Sequence, residues 1–182
     1  MRDSLSDMSH HQMPEDHQLR QYFAAVDKDR SGLINGAELQ SALSNGTFNA
    51  FNLDTVHLMI SMFDTNKKGT ISLEEFGRLW RYITDWLNCF RSFDADNSGS
   101  IDAKELATAL QSFGYRFSPE FYTSLSTRFE GRIHFDDFLK ICIHLQSLTQ
   151  EFRKYDTDLD GVITVSYEQF ISLVFAIVLR RH

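Results

Sequence analysis

Proline, cysteine, basic charge and long apolar runs are all scarce in this chain. Proline stands only at positions 14 and 119 of 182 residues, which argues against a Pro-rich linker protein and suits helices. The two cysteines, Cys89 and Cys142, form no CxxC pair and no disulfide framework. A reducing compartment follows, with each thiol read as a small core residue. Lys and Arg number 18 against 25 Asp and Glu, a net charge of −7. No basic stripe is left to displace counterions from phosphates, so a dedicated nucleic-acid binder is not expected. The longest apolar stretch, Phe170 to Leu179, is interrupted by Ser172 and is too short to span a bilayer. Residues 1–17 lack the apolar core of a signal peptide, and Arg2 stands where N-myristoylation needs Gly. That segment is polar and is expected to be a disordered tail, in which His10, His11 and His17 carry no metal site. There is also no Ser/His/Asp order, Gly-rich phosphate loop or isolated pair of catalytic acids, so no enzyme is expected.

What the chain does have is repetition. Four segments share one grammar: an apolar or aromatic residue, Asp, polar residues at alternate positions, Gly, then Ile two residues on. Their first Asp residues are Asp27, Asp64, Asp94 and Asp156, at intervals of 37, 30 and 62 residues. The doubled last interval predicts a hidden repeat near residue 125. Phe129-Glu130-Gly131-Arg132-Ile133 fits it, with the loop shortened and the polar set missing. The chain therefore holds five repeats. Between them the apolar spacing is helical, as at 76, 79, 80, 83, 86, 87, 90 and 93. One long helix is expected over Phe76 to Phe93 and another over about Phe135 to Tyr155. Ser118-Pro119 opens a further helix, with Ser as N-cap. The expected fold is all-α, with about eight helices and short β-pairings between loops through Ile34, Ile71, Ile101, Ile133 and Ile163. The domain should span residues 18–182, with helix–loop–helix units near 17–46, 54–83, 84–113, 119–146 and 146–179.

The loop grammar is that of a hard-cation site. Calcium takes six to eight oxygens, and a twelve-residue loop supplies them from positions 1, 3, 5, 7, 9 and 12, with Gly at 6 for the turn. Loop 1 offers Asp27, Asp29, Ser31, the Leu33 carbonyl, Asn35 and Glu38. Loop 3 offers Asp94, Asp96, Ser98, the Ser100 carbonyl, Asp102 and Glu105. Both sets are complete, so strong calcium binding is expected there. Loop 2 keeps Asp64, Asn66, Ser72 and Glu75 but places Lys68 at position 5, so weak binding or none is expected. Loop 4 has Gly131 and no ligand set, and is structural. Loop 5 opens with Asp156, Asp158, Asp160 and the Val162 carbonyl, but position 12 is Tyr167 and Glu168 comes one residue late. Phe170 lies seven residues after Ile163, where Phe76 lies five after Ile71, so loop 5 carries a two-residue insertion and should bind more weakly. Three bound calcium ions would take the charge from −7 to −1, and a chain near neutrality associates more readily.

Five such repeats with a degenerate fourth and an extended fifth resemble the penta-EF-hand family. Ala42-LSNGTF-Asn49, Tyr82-ITDW-Leu87, Phe113-GYR-Phe117 and Val165-SYEQ-Phe170 are similar to its apoptosis-linked branch, over about residues 18–180. The resemblance implies a dimer, homotypic or heterotypic, made by the unpaired fifth hand, and the nearly all-apolar segment Phe170–Leu179 agrees, with Phe170, Val174 and Ile177 as contacts. It also implies a calcium-dependent adaptor for Pro-rich protein segments, with a pocket at Trp86, Phe90, Phe113, Tyr115, Arg116 and Tyr167. Trp86 and Phe90 also fit plain core positions of their helix. By resemblance the chain belongs in the cytoplasm, with the nucleus as a second compartment, and is recruited to endoplasmic-reticulum or endosomal membranes through its partners. The competing readings are a calcium buffer without a partner surface and a regulatory subunit of a calpain-like enzyme.

Overall fold

The computed structural model of the protein describes residues 15–43 and 50–178, with side chains up to residue 176. The expected disordered tail lies, up to residue 14, outside the described residues. Among the described residues eight helices follow in order: α1 Asp16–Val26, α2 Gly36–Ala42, α3 Leu53–Phe63, α4 Leu73–Phe93, α5 Ala103–Ser112, α6 Pro119–Thr127, α7 Phe135–Phe152 and α8 Tyr167–Val178.

Each of the first three loops both ends one helix and begins the next. Asp27, Asp64 and Asp94 cap the C-termini of α1, α3 and α4, donating their N–H to Phe23, Ile60 and Phe90. Asn35, Ser72 and Asp102 cap α2, α4 and α5, and each forms a reciprocal box with the Glu three residues on. Two orphan donors per helix start are satisfied in this way. Ser118 caps α6 with Pro119 in its first turn, as the sequence predicts. α4 starts three residues before Phe76, because its Ser72–Glu75 box adds a turn, and α7 stops at Phe152, short of Tyr155.

Loops pair through isolated antiparallel bridges, Ile34 with Ile71 and Ile101 with Ile133. Ile34 and Ile71 exchange two N–H···O bonds of 2.8 Å each, and all four side chains are fully buried. Five hands cannot all pair within one chain: Ile163 has no bridge among the described residues.

The described residues fall into two compact units that divide between Phe138 and Leu139, inside α7. The first unit is an aromatic core. Phe23 meets Phe76 edge-on at 5.6 Å, Tyr22 stacks on Trp80 at 4.8 Å, and Phe51 meets Phe135 at 5.6 Å. Each such buried ring contributes about 1.5–3 kcal/mol by removal from water. α1 and α4 approach closely at Gly77, where a methyl group would lie 3.0 Å from Leu19. Asp136, buried at the start of α7, accepts the Asn52 N–H at 2.9 Å and so ties that helix to the N-cap of α3. The second unit holds the rest of α7, loop 5 and α8, with Leu139, Ile141, Cys142 and Ile143 buried. Cys142 is thus a core residue as read from sequence. Cys89 is only half-buried on α4, and that burial raises its thiol pKa. Among the described residues no helix is long and apolar enough to cross a membrane.

Candidate metal centre

Five loops with one ancestral pattern now differ in a physically readable way. In loop 1, Asp27 is buried and accepts the N–H of Ser31 at 3.0 Å and of Gly32 at 2.9 Å, one on each oxygen. Asp29 also accepts the Ser31 N–H, at 2.9 Å. Glu38 reaches back across the loop: one oxygen accepts Lys28 N–H at 2.9 Å, the other Asn35 N–H at 3.0 Å. The chain can make this turn because Arg30 and Gly32 adopt φ of 58° and 78°. The result is three carboxylates, Asp27, Asp29 and Glu38, whose oxygens lie within 4.8 Å of one another. Ser31 Oγ donates to the Leu33 carbonyl at 3.0 Å, so those two further oxygens stand side by side.

Loop 3 repeats the arrangement. Asp94 accepts Ser98 and Gly99 N–H at 2.9 Å each, and Glu105 accepts Ala95 N–H at 2.9 Å and Asp102 N–H at 3.0 Å. Asp94, Asp96 and Glu105 form the second trio within 4.8 Å. The Ser98 and Ser100 oxygens adjoin, with Ser98 Oγ donating to the Ser100 carbonyl at 2.9 Å. Hydrogen bonds from Ser31 hold the Asp29 carboxyl below its ordinary pKa, the side chain first and the backbone next, and Ser98 does the same for Asp96. Asp29 and Asp96 are therefore held in the charged form near neutrality. Gathering like charges this closely, some of them buried, favours a cation between them.

Loop 2 is closed by other means. Glu75 accepts the Thr65 hydroxyl at 2.6 Å, Thr65 N–H at 2.9 Å, Ser72 hydroxyl at 2.8 Å and Ser72 N–H at 2.9 Å. Burial raises its pKa, but these bonds outweigh burial and bring it down to about 2. Loop 4 has replaced its side-chain acceptor by backbone: Gly131 N–H donates to the Ser126 carbonyl, where Gly32 and Gly99 donate to an Asp. Among the described residues the acidic trios stand in loops 1, 3 and 5.

In loop 5 the oxygens of Asp156, Asp158 and Asp160 converge within 4.8 Å. Gly161 N–H donates to Asp156 Oδ2 at 3.2 Å, and Val162 N–H to Asp160 Oδ1 at 2.7 Å. Asp156 is buried to 7% exposure, and its Oδ1 has no hydrogen-bond partner. α8 begins at Tyr167, eleven residues after Asp156, whereas α5 begins nine after Asp94. The two-residue insertion read from Phe170 is therefore real. Sequence reasoning missed one residue here. Gln169 accepts Ser166 N–H on its side-chain oxygen at 2.8 Å and donates its own backbone N–H to Ser166 Oγ at 3.3 Å, the pattern that Glu75 and Ser72 make in loop 2. Counting from the helix start rather than from the first Asp finds it.

The family description "EF-hand domain pair" matches residues 16–81 and 83–174. Sorcin of Schistosoma japonicum is 46% identical over 164 residues, covering 88% of this chain and 96% of that protein. The chain belongs to the penta-EF-hand family. Human sorcin is 40% identical over 86% of this chain and 81% of its own length. Zebrafish (Danio rerio) peflin is 41% identical over 84% of this chain, which spans only 58% of peflin. The solved structure of a homolog of programmed cell death 6 protein from Leishmania major Friedlin superposes with a TM-score of 0.77 at 32% identity, covering 88% of this chain and 94% of that one. This penta-EF-hand chain is thus a calcium-binding protein. The all-oxygen donor sets of Asp27, Asp29 and Glu38 and of Asp94, Asp96 and Glu105 fit a hard cation.

The residues assigned by resemblance fall in several places. Trp86 on α4 meets Phe113, the C-cap of α5, edge-on at 5.8 Å, and Phe113 is 39% exposed. Tyr115 stacks near Phe117 at 5.8 Å, and Arg116 is exposed. Phe90 is buried against Phe135 and Phe138 at 5.6 Å each, so it serves the core rather than a surface. In the second unit Tyr167 and Phe170 are exposed and Val174 is half-buried, while the Ile177 side chain lies outside those described.

Proposed function

We propose that this chain is a calcium-sensing adaptor, not an enzyme, which recruits Pro-rich protein segments when loops 1 and 3 fill. One observation carries the reading. Loop 3 joins α4 to α5, and the contact between Trp86 and Phe113 at 5.8 Å bridges those same two helices. Any change in their angle as Asp94, Asp96 and Glu105 close on an ion acts on that aromatic contact. Parting the rings opens a slot beside Tyr115 and Arg116. Such slots suit polyproline segments, whose extended conformation is ordered before binding. Loops 1 and 3 bind calcium most tightly in this account, loop 5 more weakly, loop 2 weakly or not at all, and loop 4 not at all.

The fifth hand makes the dimer. Its Ile163 has no bridge among the described residues, and Phe170 and Phe175 on α8 are each 52% exposed. In this reading the dimer works in the cytoplasm and reaches endoplasmic-reticulum or endosomal membranes through its partners. The test is pull-down with a Pro-rich peptide in calcium and in chelator. Glu105→Ala abolishes the calcium-dependent capture while sedimentation still shows a dimer. Capture that persists in chelator, or in the variant, refutes the gate.

A further inference from the structure

The fifth loop ends differently from the other acidic loops. In loops 1, 2 and 3 the third residue of the exit helix is Glu, namely Glu38, Glu75 and Glu105, and its carboxylate accepts the N–H of the helix N-cap at 2.9–3.0 Å. In loop 5 the N-cap equivalent is Ser166, and the group accepting its N–H, at 2.8 Å, is the Gln169 amide oxygen. Three residues separate cap and acceptor in every case. Glu168, one residue earlier, is exposed and makes no such bond among those described.

We propose that Gln169 occupies the bidentate-ligand position of loop 5 and sets its calcium affinity. This rests on the calcium-binding reading of the loops and names the residue that ranks them. An amide presents one weak neutral oxygen where a carboxylate presents two charged ones, and EF-hand affinity follows the charge count of the ligands. The rest of the loop is built for a cation. Asp156, Asp158 and Asp160 converge within 4.8 Å, and the nine-tenths-buried Asp156 keeps Oδ1 without a partner. Loop 5 thus carries three carboxylates and lacks the one clamp that would close them. It fills last, after loops 1 and 3. The insertion alone does not account for this, since the Ser166–Gln169 box rebuilds the helix start two residues later with the same bonding.

The test is calorimetric calcium titration of the full chain carrying Glu38→Gln and Glu105→Gln, so that loop 5 dominates the heat. Adding Gln169→Glu should tighten binding at least about tenfold, and Glu168→Gln in the same background should leave it unchanged. Glu keeps an oxygen for Ser166 N–H, as Glu75 does for Ser72, so the helix start survives and the variant melts as its parent does in chelator. No tightening in a variant with that melt overturns the assignment. Weakening by Glu168→Gln also overturns it and hands the role to Glu168. If the chain with Glu38 and Glu105 intact binds no calcium, the calcium reading itself fails, which is a separate result.

Discussion

Loop 2 should be held shut by Glu75 without any ion, and acid should release it. The Glu75 carboxylate collects four hydrogen bonds, two from Thr65 and two from Ser72. They lower its pKa from 4.5 to about 2. A carboxyl depressed in the folded state stabilises that state above the unfolded value and loses the contribution as pH falls through the folded one. The gap corresponds to ~3 kcal/mol at about 1.4 kcal/mol per factor of ten in the proton equilibrium. Urea unfolding in chelator, compared between the native chain and Glu75→Gln, isolates this group from the other carboxylates. The native chain should be more stable by about that amount at pH 6, and the difference should shrink steadily from about pH 5 toward pH 2. A difference that is absent, or constant across that range, refutes the claim that these bonds lock the loop.

Other expectations follow from single residues. Gly99 has φ of 79° with no atom within 4 Å of an added methyl, so Gly99→Ala should cost about 1–2 kcal/mol from backbone strain alone. Thermal melts in chelator would show it, and calcium affinity at loop 3 should fall in parallel. Phe113 is 39% exposed, so Phe113→Ala should cost about 1 kcal/mol or less while removing Pro-rich peptide capture; capture at native strength would assign the ring to packing only. Phe170 is 52% exposed, so Phe170→Asp should leave the melt of the isolated chain nearly unchanged and shift sedimentation from dimer to monomer.

Much of this molecule was legible in sequence because its rules are local. The loop phase of Asp27 and Asp94 fixed both acidic trios, and the doubled interval after Asp94 exposed the fourth hand at Gly131. Each loop depends on side chains within twelve residues of one another, and the repeat interval shows where a loop must stand. Residues whose role depends on distant packing were less legible. Phe90 shares the apolar spacing of Trp86, yet Phe135 and Phe138 enclose it while Trp86 stays half-buried. Cys89, beside Phe90, turns partly outward. Asp136 gave no sign in sequence that it would cap Asn52 from 84 residues away. Gln169 escaped because the insertion breaks the count from the first Asp, although the Ser166-x-x-Gln169 spacing marks a helix start by itself.

The central claim is that the loop 1 and loop 3 carboxylates close on calcium at signalling concentrations. Calorimetric titration of the intact chain should resolve two tight sites with Kd about 10⁻⁷–10⁻⁵ M. One should vanish with Glu38→Gln and the other with Glu105→Gln. Binding seen only at millimolar calcium, or two tight sites that survive both substitutions, would contradict the account.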